Sequence, residues 1–591
     1  MKTKHFFHTG LNWPYLFLIV LSGVVVYYNS FNVPFILDDV RQIAENPDLR
    51  SLGGFLSYDF LGQNRALVDL TFALNYHFGG LDVFGYHLIN LSIHIINGIL
   101  VYYLVFFAAG RLLASDSAEH TSSSLSVIQY TALFAALIFV VHPLQTQAVT
   151  YIVQRYTLLA ASFYILSVLL YILGRNIQLS GGNNLISLSL LLLCFISGVM
   201  AFLSKQSAAS LPVAILLIEF ILYDRTWSGW KKKLCWIIPF AGLFCLFVLY
   251  NVGFFFGQRE FGRLLEDVAV LMRTTPDISR WEYLVTQFCV IPKYLFMYLV
   301  PVGQNIDHMH PVITSIWNGC ALKGLALIIF LLAGACFLFR KQPIFSLAIF
   351  WFFIALSVES SIIPIDDPMF EHRMYLPMIG PVLATAWAGG LMLQKYPRVV
   401  VGISLSVVIV LGFLSIERNK IWQSQIAIWE DSVAKNPDNY RAHTSLALAL
   451  EYENQKQKAF SHYYRALELE PEYGFAHLNL GALLLEKGKI AQAEQHLHKA
   501  EQELPRHPRV LNNLGALFAI RQQFSEALEY FRKAVELNEY FSEARFNLAL
   551  SLLKLEQPVK AREEIKRLLE LDPEHSGADE LLIIIEKYLQ G

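Results

Sequence analysis

The sequence predicts an all-α protein in two physically different parts, a polytopic transmembrane helical body followed by an α-solenoid. Three observations predict it. Of 591 residues, 55% are hydrophobic and 16% charged, with mean hydropathy +0.43; this is too apolar for one water-soluble assembly of that size, so lipid is part of its solvent. Nearly uninterrupted apolar blocks fill residues 1–416, while Glu, Lys, Gln and His crowd the rest. From residue 437 the chain repeats itself at a fixed period, the mark of stacked structural repeats.

A helix needs about 20 apolar residues to cross the hydrocarbon core. Candidate spans are 13–30, 87–109, 127–142, 156–174, 185–203, 207–223, 234–256, 319–339, 343–358, 374–393 and 399–416, eleven in all. Lys2 and Lys4 precede the first, and no small-residue cleavage site follows it, so it reads as a retained span. Lys and Arg gather in cytoplasmic loops. An inside N-terminus also places Arg111, Arg175, Arg225, Lys231 to Lys233, Arg340, Lys341, Lys395 and Arg398 inside, and leaves the loops 31–86 and 257–318 outside. Residues 284–302 would form a twelfth span and flip every later loop, but Pro292 and Lys293 favour a helix in the interface or re-entering the membrane. Eleven spans put the C-terminal part outside the cytoplasm.

Net charge is formally −2, which gives no argument for a nucleic-acid surface or a polybasic anchor. The six cysteines, Cys194, Cys235, Cys245, Cys289, Cys320 and Cys336, lie singly in apolar surroundings and read as packing residues.

A connecting helix over 417–436 leads to the repeats at 437–591. Pro437, Pro471 and Pro505 are 34 residues apart, with Glu539 and Pro573 at the next two positions. Leu446, Leu480, Leu514 and Leu548 share a column; Ala447, Gly481, Gly515 and Ala549 fill the next, and Ala459, Ala493, Ala527 and Ala561 a third. This is the period of the tetratricopeptide (TPR) helix-turn-helix. Small residues let the two helices of a hairpin approach, and proline starts each repeat where a helix must break. About four repeats and a capping helix are expected. Asn479, Asn512, Asn513 and Asn547 recur near the face that lines such grooves, as peptide-binding or as solvated residues.

Unusual polar groups concentrate on the outer face. Asp38 and Asp39 sit at the lip of the bilayer just after the first span, where adjacent carboxylates are costly without a cation, a substrate or a proton-accepting role. Arg65 follows in the same loop. His142 and Arg155 flank the loop between the third and fourth spans, and Lys205 stands in the short turn between the fifth and sixth. The last outer loop carries Glu359, Asp366, Asp367, Glu371, His372, Arg373 and Tyr375. Snorkelling accounts for one such cation; several together suit a phosphate. No group of residues has clear metal-ligand spacing.

Asp38-Asp39 after the first span, His142-Pro143 followed by Gln154-Arg155, Lys205 in the five-six turn, Glu371-His372-Arg373 with Tyr375-Leu376-Pro377 before a late span, and a TPR tail together resemble TMTC-type proteins, members of the GT-C membrane glycosyltransferases. Bacterial chains with a segment like Leu299 to His308, "LVPVGQNIDH", are closer still. Two amides depart from the pattern: Gln206 follows Lys205 where the family usually has a glutamate, and "LQTQ" at Leu144 to Gln147 stands where it has His-Thr-Glu.

The resemblance implies inverting transfer of a sugar from a polyprenyl-phosphate donor, as co-substrate, to Ser or Thr hydroxyls of a protein outside the cytoplasm. It implies no required cofactor, although a divalent metal at the Asp pair stays open. Asp38 or Asp39 would be the base. Arg65, His142, Arg155, Lys205, Glu371, His372, Arg373 and Tyr375 would hold the donor's phosphate and sugar. The TPR groove would present the acceptor, in a bacterial inner membrane or an ER membrane. An enzyme that glycosylates a lipid or envelope polysaccharide, and a non-catalytic membrane TPR scaffold, are the alternatives.

Overall fold

A computed structural model describes residues 12–50, 65–116, 122–223, 278–573 and 575–590, together with Leu52 and Gly242. The expected span 234–256 lies outside the described residues. The chain divides into two compact units, with the boundary between Ile428 and Trp429.

The first unit is built from helices α1 (Trp13–Tyr27), α2 (Ala66–Gly79), α3 (Val83–Asp116), α4 (Ser122–Val141), α5 (Arg155–Leu179), α6 (Asn184–Ser204), α7 (Leu211–Ile218), α8 (Arg280–Leu299), α9 (Gly319–Leu338), α10 (Pro343–Leu356), α11 (Ile379–Leu393) and α12 (Pro397–Trp422). Among the described residues eight helical segments are long and apolar enough to cross a membrane, and α10 and α11 are shorter apolar helices. The chain is a multi-pass membrane protein. A helix satisfies its backbone groups internally, which is why this sequence can enter lipid. Large apolar side chains such as Phe17, Phe330 and Phe413 are accordingly exposed on the body's surface, where lipid is the solvent. Inside, α3, α4, α5, α10 and α11 share one apolar core. The late span starts at Ile379, because residues Glu371–Met374 form a 3-10 turn and Pro377 follows.

The segment 284–302 folds as α8, with a Ser279–Glu282 capping box and Pro292 inside it. Its two ends bond to one layer of the body. The Tyr283 hydroxyl donates to the Glu359 carbonyl, and the Tyr298 carbonyl accepts from His142 Nε2. Gln304 bridges that layer, donating to the Pro143 carbonyl and to Glu371 Oε2.

Pro292 has no N–H to offer the Phe288 carbonyl, and α9 closes on that carbonyl with Gly324, where a Cβ would collide with its oxygen. Gly324→Leu should therefore force α9 off α8 and destabilise the body by about 1–3 kcal/mol; thermal unfolding in detergent measures it, and an unchanged Tm would refute this contact. The same junction corrects the reading of the cysteines. Cys289 of α8 and Cys320 of α9 are joined as a disulfide, their Cα atoms 5.5 Å apart. Periodicity could not show it, because the two helices meet only in the fold.

Helix α13 (Gln425–Lys435) carries the unit boundary. The second unit stacks four hairpins, α14 (Tyr440–Tyr452) with α15 (Lys456–Leu469), α16 (Gly474–Glu486) with α17 (Ile490–Glu503), α18 (Pro508–Ile520) with α19 (Phe524–Leu537), and α20 (Ser542–Lys554) with α21 (Pro558–Leu571), closed by α22 (Ala578–Gln590). The columns read from the sequence are its core: Ala459, Ala493, Ala527 and Ala561 are fully buried. At Gly481 and Gly515 a Cβ would collide with Leu497 and Phe531 of the paired helix.

One further column clasps the two helices of each hairpin. In the first repeat His443 Nδ1 lies 3.0 Å from His462 Nδ1, and in the second His477 Nδ1 lies 2.8 Å from His496 Nδ1. The fourth repeat uses Arg545 and Glu564 instead, 2.6 Å apart. His443 Nε2 and His477 Nε2 donate to the carbonyls of Pro437 and Pro471, so each pair shares one proton between its Nδ1 atoms when neutral. A second proton there makes one ring a cation and sets two N–H donors against each other.

Burial lowers all four histidines below 6.5, His496 to about 4. Around them Arg465 and Lys499 oppose protonation, and Asp438, Glu430, Glu472 and Glu503 favour it. A depressed folded-state pKa gives stability that is present above the unfolded value and lost as pH falls through the folded one. The second repeat should lose roughly 1 kcal/mol between pH 6.5 and 4, a figure already reduced for solvent screening of half-exposed groups, and the first repeat should weaken in the same direction. Hydrogen exchange of α14 to α17 tests this, and His443→Leu with His462→Tyr, the residue types of the third repeat, should remove the first repeat's share.

Candidate functional site

Of the functional candidates, Lys205, His372 and Arg373 line one small recess in the first unit, together with Thr157, Tyr164, Ser207 and Glu359 among others. Short 3-10 pieces, Gln206–Ser210 and Glu371–Met374, form part of its wall. Non-helical backbone is tolerated in a membrane protein where it lines such a cavity.

Lys205 ends α6 in extended conformation, so its side chain leaves the helix and enters the recess. Its Nζ lies 2.7 Å from Glu359 Oε1 and 3.1 Å from Thr157 Oγ1. Burial lowers the Lys205 pKa and Glu359 opposes the shift. Arg373 is held by the carbonyls of Pro368 (3.0 Å) and Asp367 (2.8 Å) and by the Tyr283 hydroxyl. Those bonds use its Nη atoms and leave Nε–H uncommitted among the described residues. His372 stacks on Phe370, and its backbone N–H donates to Gln147 Oε1 at 2.8 Å. Arg65, in left-handed backbone conformation, covers the Tyr156 ring at 4.8 Å and is near enough for its charge to act on both Lys205 and His372. Two cations, Lys205 and Arg373, and one carboxylate, Glu359, thus line the recess, with Arg65 near it; Asp367 and Asp69 act on Arg373 and Arg65, and the excess of cations on the lining suits an anion.

Other expected donor ligands lie elsewhere. Arg155 is fully buried, with Nε on Asn90 Oδ1 (2.7 Å), Nη1 on Asn75 Oδ1 (2.6 Å) and Thr71, Nη2 on the Tyr86 carbonyl (3.0 Å), and its plane over Phe72. It ties α2 and α3 to α5 and does not reach the recess. His142 stacks on Tyr298 and caps the turn at Pro143–Gln145 through the Leu144 N–H. Glu371 accepts from the Asn305 N–H (2.5 Å), His308 and Gln304, which anchors the segment after α8. Tyr375 donates to His94 Nδ1 (2.7 Å) and accepts from Asn97, inside the core.

The two aspartates separate. Asp39 is buried and accepts from the Val153 N–H (2.7 Å) and the Ile36 N–H (3.3 Å). Burial holds its pKa well above the usual carboxylate range, against those two bonds and with the charge of Asp38 adding to the rise. Asp38 is exposed, and its backbone N–H donates to the Tyr151 hydroxyl (2.9 Å). Both therefore stand against the loop that leads into α5, just upstream of Thr157. Nearby Asp69, 2.5 Å from the Tyr156 hydroxyl, is pushed up to about 6 by burial. In the second unit Asn547 donates to Asn512, which donates to Glu543. Asn479 Oδ1 is buried without a hydrogen-bond partner, and Asn513 is half-buried.

Sequence reading missed Glu359 as the partner of Lys205, and Gln147 and Thr157 as site residues. Gln147 stood out only as a departure from a motif. Polar residues of ordinary type carry no signal until the fold puts them beside a cation.

Fold and recess define a class: a polytopic helical membrane protein with a cationic cavity and a TPR solenoid tail. Models of the tetratricopeptide repeat match residues 452–517, 508–541 and 542–575. The chain is 22% identical to a protein O-mannosyl-transferase of Caenorhabditis elegans, over 78% of this chain and 63% of that protein. It is 24% identical to the protein O-mannosyl-transferases Tmtc3 of Drosophila melanogaster (77% of this chain, 55% of that one) and TMTC3 of Homo sapiens (78% and 52%). The TMTC resemblance thus extends along most of the chain, which spans from about half to 63% of the length of these relatives. A crystal structure of YrrB, a TPR protein, is 25% identical over 27% of this chain and 84% of that one, with TM-score 0.24.

Proposed function

We infer that this protein transfers a sugar from a polyprenyl-phosphate donor to Ser or Thr hydroxyls of protein acceptors on the non-cytoplasmic side, with inversion. The observation that carries the reading is the recess where Lys205, Arg373 and the nearby Arg65 converge inside an apolar helical body. A lipid-borne phosphodiester needs both a route through lipid and cations at its end. The names of the relatives, protein O-mannosyl-transferases, support sugar transfer to protein hydroxyls.

In the reaction the acceptor oxygen forms a bond to the anomeric carbon as the carbon–oxygen bond to phosphate breaks. The electron pair leaves with the polyprenyl phosphate, which gains a negative charge, and the hydroxyl proton passes to a base. Lys205 and Arg373 act on the leaving oxygen, where charge grows most. Asp38 suits the base because its carboxylate is exposed, whereas the Asp39 carboxylate already accepts two backbone N–H bonds and holds the loop in place. The TPR tail takes the acceptor through its Asn479, Asn512, Asn513 and Asn547 face.

Intact masses of surface and secreted proteins from cells with and without this protein test the reading: a hexose increment that disappears with the gene supports it. Unchanged protein masses with an altered envelope lipid or polysaccharide would overturn the protein acceptor. Asp38→Asn should abolish the increment with the fold intact. Asp39→Asn should lower thermal stability, since an amide replaces one of the two accepting oxygens with a donor.

A further inference from the structure

The imidazole of His372 has a fixed orientation and a fixed tautomer, and the mechanism above does not use it. Gln147 Oε1 lies 2.8 Å from the His372 backbone N and 3.2 Å from its ring Nδ1. The backbone N–H can only donate, so the Gln147 atom facing it is the oxygen. That oxygen can only accept, so Nδ1 carries the ring's proton. In the neutral ring Nε2 is then bare, without a protein partner among the described residues, on a side chain that lines the recess.

The surrounding charges favour this state. Lys205, Arg65 and Arg373 bear on the ring from α6, the start of α2 and its own turn, while Glu359 is engaged by Lys205 and Tyr164 is neutral. Burial first, then those three cations, hold His372 well below its ordinary pKa. An imidazolium would add a fourth positive charge, but a neutral ring sits among them at little cost. A bare Nε2 cannot bond to an ionised phosphate oxygen, which has no hydrogen to give. It can accept from a hydroxyl.

We propose that His372 Nε2 is the hydrogen-bond acceptor for a substrate hydroxyl at the edge of the anion site, and that Gln147 is the positioning residue that keeps that nitrogen bare. The hydroxyl comes from the donor sugar or from the acceptor Ser or Thr. This rests on the transferase reading, and the test separates the two.

The full-length chain in detergent is titrated with polyprenyl phosphate and with polyprenyl phosphomannose. His372→Ala should leave the first affinity unchanged and weaken the second about tenfold if the hydroxyl is on the sugar. If both affinities hold and the KM for a Ser/Thr peptide rises about tenfold instead, the hydroxyl belongs to the acceptor. Gln147→Glu places a carboxylate on Nδ1–H, favours the charged ring and protonates Nε2. The affected step should weaken at neutral pH and recover as pH rises, an alkaline displacement that mere loss of structure would not produce. Equal weakening for both lipids in His372→Ala, no effect on either lipid or the peptide, or a wild-type pH profile in Gln147→Glu would each overturn the proposal.

Nitrogen-15 NMR of histidine-labelled protein, with His372 assigned by its absence in His372→Gln, tests the tautomer without substrate. A bare Nε2 at neutral pH is expected, and a charged ring or the opposite tautomer overturns the proposal. If wild type binds neither lipid while the NMR result holds, the transferase reading fails and the tautomer assignment stands.

Discussion

Lys205→Met should reduce sugar transfer by about 10²–10³-fold, the loss that follows removal of one group aimed at developing negative charge. Turnover should fall more than donor affinity, because the phosphodiester gains charge as its bond to the sugar breaks. The substitution has a second consequence that must be separated from the first. Glu359 lies 2.7 Å from Lys205, and both side chains are largely buried, at 15% and 12% exposure; removing the lysine strands a carboxylate. Breaking a buried pair from one side costs about 3–5 kcal/mol, whereas neutralising both sides often costs little. The double variant Lys205→Met with Glu359→Gln should therefore recover thermal stability and remain inactive. Recovery of activity in the double variant would remove Lys205 from the phosphate site and leave the ion pair with a structural role.

Arg155→Ala should have the opposite signature, loss of folded protein. The guanidinium is fully buried and donates to Asn90, Asn75, Thr71 and the Tyr86 carbonyl. Deleting it leaves those acceptors without their donor in a site closed to water, at about 1–3 kcal/mol for each buried group left unsatisfied. It also opens a cavity under Phe72, which the guanidinium covers at 4.4 Å. Little detergent-extractable, monodisperse protein is expected. Arg155→Lys should fail nearly as badly, because an ammonium cannot match a planar fork that already has three directions assigned. A soluble, normally melting Arg155→Lys protein that binds donor poorly would return Arg155 to the phosphate site and overturn this assignment.

The contrast between Lys205 and Arg155 locates the limit of sequence reading. Both stand at the mouth of an apolar helix on the same expected face, and charge placement alone makes them equivalent. What separates them is the company each keeps. Arg155 meets acceptors contributed by α2 and α3 that use its whole fork, whereas Lys205 meets one carboxylate and one hydroxyl at the wall of the recess. Glu371 and Tyr375 belong with Arg155: both lie in the resembling motif, yet one anchors the Asn305 segment and the other closes a core network with His94. Asp38 and Asp39, indistinguishable in sequence, part for the same reason, since the Val153 and Ile36 N–H groups point at only one of them.

The sequence by itself determined the helical membrane body, the TPR tail and the set of polar residues that lipid makes expensive. Each of those properties is written in a local pattern: about 20 apolar residues to a span, 34 residues to a repeat, a charge where hydrocarbon would exclude it. Tertiary structure alone decided which of those polar residues still face a ligand. It also paired Cys289 with Cys320 and bonded the two ends of α8 to Glu359 and His142. Gln147 and His372, 225 residues apart, share an oxygen only because the chain after α4 packs against the turn Glu371–Met374. Hydrogen-bond capacity is a property of the residue. Whether any of it is left over for a substrate is a property of the fold.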